Sequence, residues 1–298
     1  MKSLSITSAK FMKNRVLPVL PLTQKKRAEI DRFLRGREDF IRLKGVDGVV
    51  VSYEKSGRTW LRVMLSRFYQ QRFSLPDDRL VKLGKQRGLD ARMPTILFTH
   101  DRDLRFYTGC DDNRSCYEDK RIVLLVRDPR DVAVSFFFHW KNRMKRYERL
   151  RYLLPVQDMS IQEFVFSEHY GLAATISFMN RWHDMMSCMP NIRMYRYEDL
   201  RKDTVTELAN ILEFVGADPL MKEVEDAVAY AAFEKMKKRE SVAPVGSGGL
   251  SPGSRDNADS YKTRRAKIGG YRDYFSEEEV RKIDELVATT LHPGFGYS

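Results

Sequence analysis

Four short runs of aliphatic and β-branched residues recur along the chain: Val49-Val50-Val51-Ser52-Tyr53, Thr95-Ile96-Leu97-Phe98, Ile122-Val123-Leu124-Leu125-Val126 and Ile192-Arg193-Met194-Tyr195. Most are continuous rather than alternating, the pattern of strands buried on both faces. Helical patterns lie between them. The first run leads through a loop containing Gly57 into a helix expected from Thr59 to about Gln71. The third is followed by Asp128-Pro129, an N-cap and a first helical residue, so a helix is expected to run to about Lys145. Asp203 caps a helix with Val205, Leu208, Ile211, Leu212 and Val215 on one face, stopped by Gly216. Helix resumes at about Glu277 and runs towards Leu291. Ahead of the first strand, residues 24–43 read as a helix with Ile30, Phe33, Leu34, Phe40 and Ile41 as its apolar stripe.

Strands alternating with helices predict an α/β fold, a three-layer sandwich with a central, mainly parallel sheet. No internal repeat is present, and 298 residues suit one large domain, expected over 46–298 behind a basic N-terminal extension, 1–45. Residues 241–263 (rich in Gly, Ser and Pro) interrupt the pattern; a loop of this length in a compact domain points to a functional cover over a ligand.

Composition narrows the class. With 42% hydrophobic residues a packed core is expected and wholesale disorder is excluded. No apolar run reaches about 18 residues, so no transmembrane helix is expected. The patch Val16–Leu22 is short, broken by two prolines and lacks a signal-peptide cleavage site. Three cysteines are too few for a disulfide scaffold, and a reduced, cytoplasmic location is the expectation. A net charge of +12, from 53 basic and 41 acidic side chains, calls for an anionic partner without naming it. The first 45 residues hold 12 Lys/Arg against four acids, either a solvated face or a peripheral contact with acidic lipid headgroups. Residues 141–151 carry six basic side chains near Trp140, Tyr147 and Tyr152. They support the alternative of a basic nucleic-acid-binding module, which no recognised motif backs, so nucleic acid is the disfavoured partner.

The chemistry concentrates in two segments. In Ser52-Tyr53-Glu54-Lys55-Ser56-Gly57-Arg58-Thr59-Trp60 a strand ends, a tight turn follows and a helix begins, the arrangement of a phosphate-binding loop. It is not a Walker A motif, since the lysine precedes the glycine and Gly-Lys-Ser/Thr is absent, which disfavours ATP or GTP hydrolysis. In Arg127-Asp128-Pro129-Arg130-Asp131-Val132-Ala133-Val134-Ser135 an arginine ends the clearest strand and a serine lies two turns into the next helix. The two could converge on one phosphate, or Arg127 could pair with Asp131 while Ser135 merely packs. Gly249-Leu250-Ser251-Pro252-Gly253 matches a nucleophile elbow in letters only, with no strand before it and a proline where an oxyanion donor is needed. No metal-ligand motif is present and no metal is expected.

Together these segments resemble the sulfotransferases that use 3′-phosphoadenosine 5′-phosphosulfate (PAPS). That family's first motif is similar to Tyr-Pro-Lys-Ser-Gly-Thr-Thr-Trp, matched by residues 53–60 at six of eight places, and its second matches residues 127–135 throughout. Tyr197-Glu198-Asp199-Leu200 resembles its Tyr-Glu-Asp box, and Arg264–Ser276 its C-terminal Arg-Lys-Gly element. The resemblance spans about residues 46–290. It implies transfer of a sulfuryl group from PAPS, released as adenosine 3′,5′-bisphosphate (PAP), to an acceptor hydroxyl on a carbohydrate, lipid or small alcohol. It implies that Lys55 stabilises the leaving phosphate, that Ser56, Gly57, Arg58 and Thr59 surround the 5′-phosphate, and that Trp60, Phe233 and Tyr197 contact the nucleotide. Arg127, Ser135, Arg264 and Arg265 would hold the 3′-phosphate. His100, just past the second strand, matches the family's general base, with Asp101 next in line.

The departures are specific. Glu54 replaces a proline, Phe98 replaces a lysine two before the histidine and leaves one active-site lysine, and Ala266 stands where glycine is usual. They keep open the alternative of a non-catalytic nucleotide-binding relative. Basic residues in the variable loops (Arg79, Lys82, Lys85, Arg87, Arg102, Arg105 and Arg114) lean towards an anionic or carbohydrate acceptor.

Overall fold

In a computed structural model, residues 11–76, 83, 84, 90, 92–109, 114–245 and 249–297 are described. Arg79, Lys82, Lys85, Arg87 and Cys110 lie outside them, as do 246–248 of the long loop. The elements run α1 (Gln24–Leu43), β1 (Gly48–Ser52), α2 (Arg58–Arg72), β2 (Ile96–Thr99), α3 (Arg102–Thr108), α4 (Arg114–Tyr117) and β3 (Arg121–Val126). Then follow α5 (Pro129–Asn142), α6 (Arg146–Arg151), α7 (Ile161–Val165), α8 (Leu172–Cys188), β4 (Ile192–Arg196), α9 (Tyr197–Lys202) and α10 (Thr204–Phe214). The last helices are α11 (Met221–Tyr230), α12 (Phe233–Val242) and α13 (Glu277–Thr290).

The four strands form one parallel sheet in the order β2-β1-β3-β4. Val49, Val51, Ile122 and Leu124 face one helical layer that includes Val134 of α5 and Trp182 of α8. Val50, Ile96, Val123 and Leu125 face the other, with Leu61 and Leu65 of α2 and Leu208 and Leu212 of α10. Covering both faces removes the polar side that would make a strand alternate, which is why these strands read as continuous apolar runs. The chain leaves β1 towards β2 and returns to place β3 on β1's other flank. The sheet's switch point therefore lies between the loops after β1 and β3, where ligands of open parallel sheets bind.

The caps behave as their residues dictate: Asp128 accepts from Arg130 N at 2.9 Å and Asp203 from Thr206 N at 3.2 Å. α5 ends at Asn142, three residues short of the expected Lys145. Arg143 leaves helical geometry (φ −130°) because its guanidinium is drawn to the carbonyls of Ser251 and Ser260.

α1 occupies its expected span, capped by Thr23, and its expected stripe holds in part: Leu34 is buried, Phe40 packs on the core, and Ile30 and Ile41 are half-buried. Phe33 is 44% exposed while Asp31 and Glu38 are buried. Asp31 pairs with Arg35 and Arg151, and Glu38 with Arg42 and Lys13. Arg32 reaches Asp103 of α3 at 3.6 Å. A Cβ at Gly36 would fall 1.9 Å from the Asp103 carbonyl oxygen, so glycine alone permits this approach of α1 to α3. Among the described residues no helix is long and apolar enough to cross a membrane.

Candidate active site

The loops at the C-terminal ends of the four strands surround a cavity of about 270 Å³. Lys55 enters it from the loop after β1, with its backbone at φ 70°; Gly57 follows at φ 97° and caps α2. A side chain at Gly57 would lie 2.7 Å from the Tyr197 ring, so the loop needs glycine both for its conformation and for its contact with the start of α9. Arg58 and Thr59 open α2 with backbone N–H groups that have no helical partner, and they line the cavity. Ser56 is buried beneath the loop and does not line it.

Trp60 donates to the Ala231 carbonyl at 3.0 Å and meets Tyr197 edge-on at 5.8 Å; with Phe233 at the start of α12 they make an aromatic wall. Arg127, just past β3, lies over the Tyr197 ring at 4.6 Å and donates to the Lys267 carbonyl at 3.0 Å. It also reaches the Lys55 carbonyl and the Asp131 carboxylate, both at 3.4 Å, so the Asp131 contact coexists with a place in the cavity wall. Ser135 of α5 lines the same wall. Arg264 is held by Asp259 at 3.3 Å and lies 3.9 Å from the Phe138 ring centre, while Arg265 pairs with Asp273 at 3.0 Å. Ala266 takes φ 50°, the strained left-handed conformation that glycine would adopt freely.

Four further residues matter to the site without any mark in the sequence: Lys262 and His139 line the cavity, and Glu240 and Arg143 hold the segment that covers it. The segment 249–265 is strapped over the site by Glu240, a fully buried carboxylate that accepts from Lys262 N at 2.6 Å and from the N–H and hydroxyl of Thr263 at 2.9 and 2.8 Å. Arg143 holds the strap's other side through the Ser251 carbonyl at 2.7 Å and faces Glu240 at 3.6 Å. The strap brings Lys262 into the cavity, and with Lys267 three lysines line it where the sequence supported one. His139 lines it too, its Nδ1 buried without a partner among the described residues. Only the folded strap relates these positions; no spacing or motif marks them.

Burial first, and this concentration of cations second, set the protonation states. Burial, then the nearby Lys262, Arg143 and Arg127, push Lys55 down to about 7, with Glu240 opposing. Burial and Arg143 bring Lys262 to about 8. His100 donates from Nδ1 to the Ser52 carbonyl at 2.7 Å, which leaves Nε2 as the acceptor, and the Arg58 guanidinium donates to that nitrogen. Burial and the Arg58 charge hold His100 down at about 3, a neutral imidazole. Burial also brings Arg58 down to about 10. Glu54, in the proline's place, forms an ion pair with Arg102; burial pushes its carboxyl up, but Arg102 outweighs this and holds it below its ordinary range. Asp101 accepts from Tyr117 at 2.8 Å and from Arg181 at 3.2 Å.

Comparison with known proteins bears on this geometry. The family described as the sulfotransferase domain matches residues 113–294. The chain is 25% identical to the 3-alpha-hydroxysteroid sulfotransferase of Cavia porcellus, over 85% of this chain and 86% of that enzyme. It is 24% identical to the flavonol 3-sulfotransferase of Flaveria bidentis, over 87% of each. Among solved structures it shares its fold with a mouse sulfotransferase complexed with PAP (TM-score 0.56, 22% identity, 82% of this chain and 84% of that one). It likewise resembles a retinol dehydratase in complex with androsterone and PAP (TM-score 0.55, 20% identity, 82% and 80%).

Proposed function

The chain belongs to the sulfotransferase domain family, and from that premise we propose that it moves a sulfuryl group from PAPS to an acceptor hydroxyl. One observation carries the reading. A single cavity gathers Lys55, Trp60, Arg127, Ser135, Phe233, Arg264 and Arg265, which lie in four separate stretches of sequence, and His100 stands at its edge. Cations and helix N–H groups suit the two phosphates, and the wall of Trp60, Phe233 and Tyr197 suits adenine.

The acceptor oxygen attacks sulfur as its proton passes to His100 Nε2. The new S–O bond forms as the bond from sulfur to the 5′-phosphate oxygen breaks, and PAP leaves with its charge met by Lys55. Positioning and charge stabilisation do most of the work. Arg58 must leave Nε2 before that nitrogen can take a proton.

The contact from Arg58 to Nε2 also favours a second reading, a nucleotide-binding relative without transfer activity. The two part experimentally. Calorimetry should show PAP binding at least tenfold tighter than ATP, and labelled sulfate should pass from PAPS to an acceptor. His100→Ala should cut that turnover by about 10²–10⁴ with PAP affinity unchanged. PAP binding without transfer to any acceptor selects the second reading. Near-normal turnover in His100→Ala moves the base elsewhere. His139, with its Nδ1 unpartnered among the described residues, is then a candidate beside Asp101, which is tied to Tyr117 and Arg181.

A further inference from the structure

On the far side of His100 lies a second cavity of about 160 Å³. Arg58 and His100 line both cavities; the rest of the second is built from α1, the end of β2, α3 and Tyr152. If the first cavity takes PAPS, the second is where the attacking hydroxyl must come from, and its walls define what can enter.

Those walls are mixed in charge. Arg102 is committed to Glu54 and lies 4.0 Å from the Tyr152 ring centre. Asp103 faces Arg32 at 3.6 Å and Asp101 faces Arg181 at 3.2 Å. Asp39 of α1 differs: its one hydrogen bond is a long one, accepted from the Thr99 hydroxyl at 3.4 Å, and it has no ion pair among the described residues. A carboxylate can accept about four hydrogen bonds, so most of its capacity is unspent inside a cavity.

Each ligand class can be weighed against that inventory. An apolar acceptor would strip water from Asp39 and return no donor, at the cost of an unsatisfied buried polar group. A cationic acceptor would meet Arg58 and Arg102; an anionic one would meet Asp39 and Asp103. A neutral molecule with several hydroxyls suffers none of these penalties: one hydroxyl reacts at His100, a neighbour donates to Asp39, and others accept from arginine.

Resting on the sulfotransferase reading above, we propose that the acceptor is a neutral, hydroxyl-rich molecule of the sugar or polyol class, with Asp39 accepting from a hydroxyl beside the one that is sulfated. Asp39 is a specificity residue and takes no part in the transfer itself.

The test compares methyl α-D-glucopyranoside, glucuronate, dopamine and 4-nitrophenol as acceptors of labelled sulfate from PAPS. The neutral glycoside should exceed each of the others at least tenfold in kcat/KM. Asp39→Leu should cost the glycoside at least tenfold, through KM with kcat held, and improve 4-nitrophenol; Asp39→Asn should cost about threefold. PAP affinity, measured by calorimetry, should be the same in all three proteins and also reports that they are folded. Transfer to the phenol or a charged acceptor in preference, no transfer to the glycoside, or a glycoside KM indifferent to Asp39→Leu overturns the proposal while PAP binding keeps the donor reading intact. Loss of PAP binding in the wild-type protein overturns both.

Discussion

The two cavities that meet at His100 are built on opposite principles. The donor side is rich in cations, with Lys262, Arg143 and Arg127 adding to burial in pushing Lys55 down, and its backbone takes left-handed conformations at Lys55 and Ala266. The acceptor side sets Arg58 and Arg102 against Asp39, Asp101 and Asp103. A site for a highly charged ligand can hold uncompensated like charge, because the ligand supplies the compensation. A site for a neutral ligand has to balance its own charges. The protein therefore gathers like charge on one side of a histidine and opposed charges on the other, with a left-handed residue, Asp101, on the second side as well.

The largest expected effect tests the donor wall alone. Arg127→Ala removes charge-assisted hydrogen bonds worth about 1.5–3 kcal/mol, so PAP should bind about 10- to 100-fold more weakly by calorimetry. The acceptor KM at saturating PAPS should stay put, and unchanged PAP affinity would remove Arg127 from the phosphate site. Next in size is the residue shared by both cavities. Arg58→Thr deletes the cation on His100 Nε2, so the imidazole should titrate well above about 3, yet short of the ordinary 6.5 because burial is the larger cause. Nitrogen chemical shifts read this directly, and an unmoved titration would show that Arg58 does not control the histidine.

A smaller effect concerns protons. Free Lys55 sits at about 7, and an anion beside it favours its charged form. At pH 8 Lys55 is mostly neutral before binding and charged afterwards, so PAP binding should take up a fraction of a proton, with Lys262 at about 8 adding to it. At pH 6 both lysines are already charged and uptake should vanish. Calorimetry in buffers of different ionisation enthalpy measures the difference, and equal uptake at both pH values contradicts it. The smallest effect is structural: Ala266→Gly relieves a left-handed alanine worth about 1–2 kcal/mol, less the entropy glycine adds to the unfolded chain. A melting temperature raised by about 1–3 °C is expected, and a lowered one would show that Ala266 is not strained.

Much of the scaffold was legible because its physics is local. All four strands fell within a residue or two of their expected places, since a strand covered on both sheet faces must be apolar throughout. Asp128-Pro129 and Asp203 located helix starts through side-chain capping that acts over two or three residues. The stripe expected on α1 missed Phe33, which is exposed, and the buried Asp31 and Glu38, because periodicity counts apolar residues whereas this helix also buries acids against arginines. Of the residues singled out for chemistry, all but Ser56 line the donor cavity, because they follow strand ends or lie on segments that fold against those ends. Lys262, Arg143, Glu240 and His139 were invisible. Their meeting depends on how a long loop folds back over the sheet, and the acceptor cavity likewise draws Asp39 from before the first strand.

Asp39 and the close packing at Gly36 make α1 a wall of the enzyme. Anyone engineering this protein would be tempted to treat the first 45 residues as a handle, to be trimmed for solubility or replaced by a fusion partner. A chain begun at residue 46 would lose the counter-charges of Arg151 and Arg32's grip on Asp103, and would open the second cavity to solvent. Its donor wall would keep its own residues. Trimming should therefore trade selectivity away before nucleotide affinity, and swapping α1 between relatives is the direct route to redesigning what this scaffold modifies.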